Sequence, residues 1–298
     1  MITVNSLTKQ YGSRTAVDDL SFDVAAGRVT GFVGPNGAGK STTMRMMVGL
    51  TRPDLGDVTY RGVSYSHLLH PSRVVGAVLD ARSMHPGRTA RNHLAAAAAL
   101  AAIPARRVGE VLDEVGLESA ADQRTGGFSL GMRQRLALAG ALLGEPEVLL
   151  LDEPSNGLDP DGIRWLRNSL SAFADSGGTV FVSSHLIAEL AMFADDLIVV
   201  GAGRLLAAEP VASTLARGEA TVIVRTPQDA ELRRLLERHG IDAASTGDQL
   251  SVRRTTTAVV SQIAFDNRIQ IIEIAETRRS LEEILLDMTG ASAEFAAA

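Results

Sequence analysis

Cysteine is absent from this chain of 298 residues. Without cysteine there is no disulfide framework and no thiolate metal site, which excludes small disulfide-stapled proteins and cysteine zinc sites. The absence is compatible with a reducing cytosol. Lysine is nearly absent as well, since Lys9 and Lys40 are the only two among many arginines. A compositional bias explains the scarcity, and a lysine that persists at position 40 fits a role that arginine cannot fill.

Long apolar runs are missing too. No run approaches the roughly 20 apolar residues that a membrane-spanning helix requires. The longest candidate, Leu94 to Ile103, is mostly alanine and indicates a small-residue helix packed on protein. Met1 to Leu7 lacks the basic and apolar regions of a signal peptide. We therefore expect that any work at a membrane depends on another chain that supplies the spans.

Positive charge is in deficit, with a formal net charge of −6. This balance argues against a general nucleic-acid binder, which needs basic side chains to neutralise phosphates. Hydrophobic residues make up 45% of the chain, enough for a sizeable core. The length suits one large domain or two modest ones.

One glycine-rich stretch organises the rest of the sequence. It fits the phosphate-binding pattern G-x-x-x-x-G-K-[ST] and consists of Gly34, Pro35, Asn36, Gly37, Ala38, Gly39, Lys40, Ser41 and Thr42. The apolar run Val29 to Val33 before it predicts a buried strand, and Ser41 to Leu50 predicts a helix. The backbone N–H groups of such a loop and the helix N-terminus bind anions. Lys40 suits the β- and γ-phosphates and Ser41 suits Mg²⁺.

A chance glycine loop would not explain this order of strand, loop and helix. The loop alone, however, leaves kinases, GTPases and motor ATPases open. A second stretch narrows the choice, because the apolar strand Val148 to Leu151 delivers Asp152 and Glu153 at its carboxyl end, where ligands bind in open α/β sheets. Asp152 suits a Mg²⁺ contact through water, and Glu153 suits a general base. The alternative is a strand that merely ends in acidic turn residues.

A third stretch runs from Phe128 to Leu136. Ser129 would cap a helix there, and a capped helix start with Gly131 nearby is again an anion site. Taken alone, an ordinary N-cap is the better interpretation.

Together these motifs resemble those of the ATP-binding subunit of an ATP-binding cassette (ABC) transporter, over roughly residues 1 to 215. The resemblance implies that the stretch Ser129 to Gln134 binds the γ-phosphate of the partner subunit's ATP, and that Ser129 and Gly131 face this phosphate. It implies that Ser155 to Asp159 is a dimer-contacting loop and that His185 is a switch histidine. Tyr11 matches the aromatic residue that stacks on adenine. Without the resemblance, Tyr11 would be a turn residue and His185 a strand-end residue.

Two departures from the family pattern are present. The signature usually has Ser-Gly-Gly, whereas this chain has Ser129-Leu130-Gly131. Asp80 stands where a glutamine is expected to contact Mg²⁺, so it is a candidate metal ligand or, alternatively, a hinge residue toward a membrane partner. Both departures resemble the subgroup linked to drug, antibiotic and lipid export, and the C-terminal region resembles that group's extra domain.

The implied fold is α/β, a P-loop NTPase with a RecA-like core, an N-terminal antiparallel β subdomain and a helical insertion at about 85–145. This domain would span residues 1–217. A composition shift then predicts a small α+β domain at 218–290, with strands at Thr221 to Arg225, Gln249 to Arg253 and Gln270 to Ile274. Its last helix begins with a capping box of Ser280 and Glu283. Residues 291–298 are expected to be a disordered tail.

The resemblance also implies partners and a location. Two subunits, as a homodimer or pseudo-dimer, would enclose two ATP molecules with Mg²⁺, and a separate transmembrane permease would carry the substrate. The expected location is cytoplasmic, peripheral on the inner face of the cell membrane, with no nucleic acid bound. Two alternatives remain at this point: a soluble, non-transport cassette ATPase and a small-molecule P-loop kinase.

Overall fold

The computed structural model describes residues 2–81, 83–184, 187–216, 220–247, 249–278 and 280–290. The chain divides into two compact units. The first reaches Val211 and also takes in Met288 near the end of the chain, and the second runs from Ala212 to Asp287. The boundary expected at 217 and the tail expected at 291–298 lie outside the described residues and stay predictions.

The first unit contains two sheets. A four-stranded sheet has the order β2-β1-β4-β5, and a six-stranded sheet has the order β10-β9-β3-β8-β7-β6. The strands are β1 (Ile2–Tyr11), β2 (Arg14–Val24), β3 (Val29–Val33), β4 (Leu55–Tyr60), β5 (Val63–Ser64), β6 (Val75–Val78), β7 (Val148–Asp152), β8 (Thr179–Ser184), β9 (Asp196–Gly201) and β10 (Arg204–Pro210). All pairings of the six-stranded sheet are parallel except that of β10 with β9.

Helices flank these strands along the chain. They are α1 (Lys40–Met47), α2 (Pro71–Val74), α3 (Ala90–Leu100), α4 (Arg106–Glu114), α5 (Leu130–Leu142), α6 (Pro160–Asp175), α7 (Ile187–Leu190) and α8 (Val211–Ala216). Helices α3, α4 and α5 lie between β6 and β7 in the chain, where the helical insertion was expected. Among the described residues, no helix combines the length and the apolar character needed to cross a bilayer.

The apolar runs that predicted parallel strands are buried along their whole length in β3 and β8. Burial of this kind is typical of a parallel sheet that is covered on both faces. Three rings join the two sheets: Phe22 of β2 lies 5.8 Å from Phe32 of β3 and 5.7 Å from Phe181 of β8, measured between centroids. Aromatic pairs at such distances each add about 0.5–1.5 kcal/mol beyond their buried area. The β subdomain is thereby fixed against the strand that leads into the P-loop.

The first hairpin is formed by β1 and β2. Both strands continue to a two-residue turn, and Tyr11 pairs directly with Arg14. Gly12 permits the turn with a φ of 60°. The Asp54 carboxylate extends β1 because it accepts hydrogen bonds from the Lys9 amine at 3.0 Å and from the Gln10 N–H at 2.7 Å.

The second unit has a four-stranded antiparallel sheet in the order β12-β13-β11-β14. Its elements, with the final helix of the chain, are β11 (Ala220–Arg225), α9 (Asp229–Arg238), β12 (Ala243–Thr246), β13 (Gln249–Arg253), α10 (Thr257–Asp266), β14 (Glu273–Arg278) and α11 (Leu281–Gly290). This is the β-α-β-β-α-β arrangement of ferredoxin-like domains. Apolar residues of α9, α10 and the sheet form its core.

Local predictions in this unit had mixed outcomes. The capping box is confirmed, since the Ser280 N–H donates to Glu283 Oε2 at 2.8 Å and the Glu283 N–H donates to Ser280 Oγ at 3.2 Å. The strand predicted at Gln270 to Ile274 is wrong, because the last strand runs from Glu273 to Arg278. The Gln270 N–H donates to the side chain of Gln228, so position 270 belongs to a loop.

Candidate nucleotide site

A cavity of ≈ 530 Å³ opens where the first hairpin meets the glycine-rich loop. Its size lies within the range of pockets that bind small molecules and cofactors. The lining residues are Tyr11, Arg14, Ala16, Asn36, Gly37, Gly39, Lys40, Ser41, Thr42, Glu153 and Asn156. The structure thus brings together Tyr11, most of the P-loop and Glu153, which are far apart in sequence.

Two positions of the loop require glycine, because the backbone of neighbouring strands approaches them closely. A Cβ atom on Gly34 would overlap the carbonyl oxygen of Val200, and one on Gly39 would overlap that of Ala16. Gly39 also has a φ of 98° and stands as N-cap of α1, a role that other residues fill only with strain. The loop therefore curls tightly between β2 and β9 and points the start of α1 at the cavity.

Lys40 is buried, with only 6% of its side chain exposed. Its amine donates to the Gly34 carbonyl at 2.6 Å and lies 3.9 Å from Glu153 Oε1. Burial lowers the pKa of Lys40, while the charges of Glu153 and Asp152 act in the opposite direction. An anion bound in the cavity would add to the second effect and favour the charged amine.

The two carboxylates at the end of β7 are tied to β8 through Ser183. The Glu153 N–H donates to Ser183 Oγ at 2.9 Å, and the Ser183 hydroxyl donates to Asp152 Oδ1 at 2.5 Å. Glu153 has a φ of 49°, in the left-handed region that non-glycine residues rarely adopt. The hydrogen bond from its backbone therefore stabilises a strained turn that directs the Glu153 side chain into the cavity.

Other predicted site residues do not line this cavity. Ser129 caps α5, accepting from the Met132 N–H at 3.2 Å, and Asp159 caps α6, accepting from the Gly162 N–H at 2.8 Å. Asp80 is exposed, two residues beyond β6. His185 lies outside the described residues. Gly131 neighbours the loop Ser155 to Asp159, since a Cβ there would lie 3.7 Å from Leu158.

The unusual Leu130 also meets that loop. It is half-exposed, and a Cβ on Gly157 would overlap its side chain. Gly157 has a φ of 73°, so a side chain at this position would be both strained and blocked. Leu130 thus occupies the space above Gly157, next to Ser129 and Gly131.

A divalent metal fits the donors near the cavity. Ser41 and Asp152 offer the hard oxygen atoms that Mg²⁺ prefers, and Mg²⁺ usually takes one or two protein ligands beside substrate phosphates. In the described ranges no group of three or more His, Asp or Glu side chains could hold a metal by itself. Ser41 and Asp152 suit a metal that is also bound by phosphate oxygens.

Sequence reasoning missed two side chains at this site. Ser183 has a structural role because it pairs with Asp152 across β7 and β8. Arg14 lines the cavity opposite Tyr11. No sequence motif signals either residue, since both reach the site through strand pairing.

Known proteins are similar in sequence to this chain over nearly its whole length. A family model described as ABC transporter matches residues 17–156, and a domain of unknown function matches residues 220–282. The ABC transporter ATP-binding protein YhcH of Bacillus subtilis, itself uncharacterized, is 34% identical over 297 residues, which cover 99% of this chain and 97% of that protein. The chain belongs to the ABC transporter family. It is an ATP-binding subunit that hydrolyses ATP.

Two further comparisons place this ABC ATPase among its relatives. The bacitracin transport ATP-binding protein BcrA of Bacillus licheniformis is 32% identical over 298 residues, which cover 97% of each chain. A solved ATP-binding subunit of an ABC transporter superposes with a TM-score of 0.66 at 26% identity, covering 73% of this chain and 92% of that chain. The expected fold of the cassette is confirmed. Membership of a transporter family argues against the soluble ATPase and the kinase.

Proposed function

We propose that this ABC ATPase powers export of a drug-like or lipid substrate, with a peptide antibiotic as the best candidate, through a separately encoded membrane protein. The observation that carries the proposal is the alignment with a bacitracin transport ATP-binding protein over 97% of both chains. That alignment includes the ferredoxin-like unit, so the resemblance is not limited to the cassette that all such transporters share. A lantibiotic transport ATP-binding protein of Streptococcus pyogenes, 32% identical over 69% of this chain, points to the same class of substrate.

The cavity supports specific roles in ATP binding. Tyr11, half-exposed at the rim, would stack on adenine, and the loop Gly34 to Thr42 would receive the phosphates. Lys40 would exchange its bond to the Gly34 carbonyl for the β- and γ-phosphates. Ser41 and Asp152 would hold Mg²⁺, which supplies charge neutralisation at the phosphates when bound.

Glu153 is the proposed general base of hydrolysis. Its carboxylate would accept a proton from the water that attacks the γ-phosphate, and the Ser183 bond to its backbone holds it toward the cavity. Lys40, 3.9 Å away, is close enough to stabilise charge on the same phosphate. His185 would act as the switch residue that contacts the γ-phosphate.

We further propose that two subunits close around ATP. Ser129 and Gly131 lie away from the cavity of their own chain, so a γ-phosphate contact by these residues needs a second subunit. Asp159, in the loop beside Leu130, would contact the partner. Such an arrangement is an isologous C₂ dimer, and the shared phosphate supplies the differential contact that a closing switch requires. Asp80 would ligate Mg²⁺ from the end of β6.

The export proposal can be tested with the membrane protein that copurifies with the detergent-extracted subunit. Both are reconstituted in lipid vesicles, and ATP hydrolysis is measured with a panel of peptide antibiotics, lipids and unrelated solutes. We expect stimulation by a peptide antibiotic or a lipid, and none with the Lys40→Ala subunit. Stimulation only by a nutrient solute such as a sugar or amino acid would contradict the proposal.

A further inference from the structure

Arg14 is a cation of the nucleotide cavity that the P-loop motif does not include. It lies on β2 and pairs with Tyr11 across the turn of the first hairpin. Its guanidinium approaches the loop, since Nη2 lies 3.2 Å from the position that a Cβ on Gly37 would take. Arg14 therefore neighbours Tyr11 through strand pairing and the glycine-rich loop through its guanidinium.

The cationic side chains near the cavity differ in their hydrogen-bond partners. Lys9 is bound to the Asp54 carboxylate at 3.0 Å and to the Arg52 carbonyl at 2.8 Å. Lys40 is bound to the Gly34 carbonyl. The Arg14 guanidinium, by contrast, makes no side-chain hydrogen bond or ion pair within the part of the chain that the structure describes. Its donors are available to an anion in the cavity.

We propose that Arg14 binds the α- and β-phosphates of the nucleotide, an inference that rests on the proposed ATP site. Its neighbour Gly37 belongs to the backbone that cradles these two phosphates, whereas Lys40 reaches the β- and γ-phosphates. Guanidinium is always charged and its planar fork matches phosphate oxygens. Arg14 thus stabilises ATP and ADP alike and helps the site to retain nucleotide after hydrolysis.

The test is a calorimetric titration of the Arg14→Gln variant with ATP and with ADP. We expect both dissociation constants to rise by the same factor, about tenfold, which corresponds to about 1.4 kcal/mol. The factor should shrink at high ionic strength, because the contact is between charges at an exposed site. Arg14→Lys should lose less than the glutamine variant, since it keeps the charge but not the fork.

Arg45→Gln is a matched control. Arg45 is exposed on α1, carries the same charge and does not line the cavity. We expect its nucleotide affinities to stay within twofold of those of the unmodified chain. Equal losses in the two variants would mean that net charge, and not a local contact, sets the affinity, and would overturn the proposal.

Because Arg14 is opposite Tyr11, its substitution could act by displacing that ring. Inorganic triphosphate, which has no base, separates the two effects when it competes with a fluorescent nucleotide. The proposal requires triphosphate affinity to fall about tenfold in Arg14→Gln. Unchanged triphosphate affinity, or unchanged ATP and ADP affinity, would overturn it. If the unmodified chain bound neither nucleotide nor triphosphate, the proposed ATP site itself would fail, an outcome distinct from the other two.

Discussion

Removing the Ser183 hydroxyl should slow hydrolysis far more than it weakens ATP binding. The side chain is fully buried and joins the Glu153 N–H to the Asp152 carboxylate. In Ser183→Ala both groups lose this hydrogen bond, which contributes about 0.5–1.5 kcal/mol between neutral groups and about 1.5–3 kcal/mol with a charged group. Glu153 also has a left-handed backbone, which costs about 1–3 kcal/mol and needs such support to persist.

We therefore expect the free energy of unfolding to fall by about 1–3 kcal/mol and kcat to fall about tenfold or more. A tenfold decrease requires only about 1.4 kcal/mol of lost transition-state stabilisation. The KM for ATP should change by less than about twofold, because Ser183 does not line the cavity. Steady-state ATP hydrolysis and urea unfolding measure the two effects.

Thr179→Val is the control, because Thr179 is buried at the opposite end of the same strand. It should affect stability without a selective loss of kcat. Two results would refute the reasoning about Ser183: an unchanged kcat in Ser183→Ala, or a loss that appears entirely in KM.

Substitutions at three further positions test the surroundings of the cavity. Tyr11→Ala should weaken ATP binding by about 1–3 kcal/mol, the range for base–aromatic stacking, while Tyr11→Phe stays near neutral; equal losses in calorimetry would exclude stacking. Asp80→Asn should bind metal-free ATP better than the unmodified chain and gain less from added Mg²⁺, because clustered negative charge is reduced. Superimposable Mg²⁺ titrations would instead leave Asp80 as a hinge toward the membrane partner. Hydrogen bonds from Gln10 and Lys9 lower the pKa of Asp54, so its stabilising effect is present at neutral pH and is lost as pH falls through that lowered pKa. Urea unfolding curves of the unmodified chain and Asp54→Asn should therefore differ at pH 7 and converge in acid, and a constant difference would contradict this assignment.

The sequence predicted those parts of the site whose signals are local. The loop Gly34 to Thr42 carries its strand, turn and helix in one continuous stretch, and the apolar run before Asp152 predicts a strand that ends in carboxylates. The capping box of Ser280 and Glu283 is equally local, since both hydrogen bonds span three residues. Patterns of this kind do not depend on the rest of the fold.

Features that depend on pairing between distant segments were not predictable in the same way. The polar strand Glu273–Arg278 exists because it pairs with β11, and its own residues are mostly exposed. Arg14 reaches the cavity through the extended hairpin, which Asp54 stabilises from a different strand region. Ser183 gains its role only when β8 lies beside β7. In each case the deciding contact lies far away in sequence.

Contacts across a subunit interface cannot be observed in the structure of a single chain. Ser129 caps a helix here, as the ordinary interpretation of its position requires. The proposed contact of Ser129 with the partner's nucleotide would be made at the outer side of the N-terminus of the same helix. Capping and phosphate binding are compatible, because the remaining N–H groups of the first turn stay available to an anion.

Sedimentation of the Glu153→Gln variant with ATP and Mg²⁺ tests the central claim most directly. If Glu153 is the general base of an ATPase that closes as a dimer, hydrolysis should slow by roughly 10²–10⁴-fold. ATP should then persist and hold two subunits together, so the variant should sediment as a dimer with ATP and as a monomer without it. A variant that stays monomeric with ATP, or that hydrolyses ATP at the normal rate, would contradict the account.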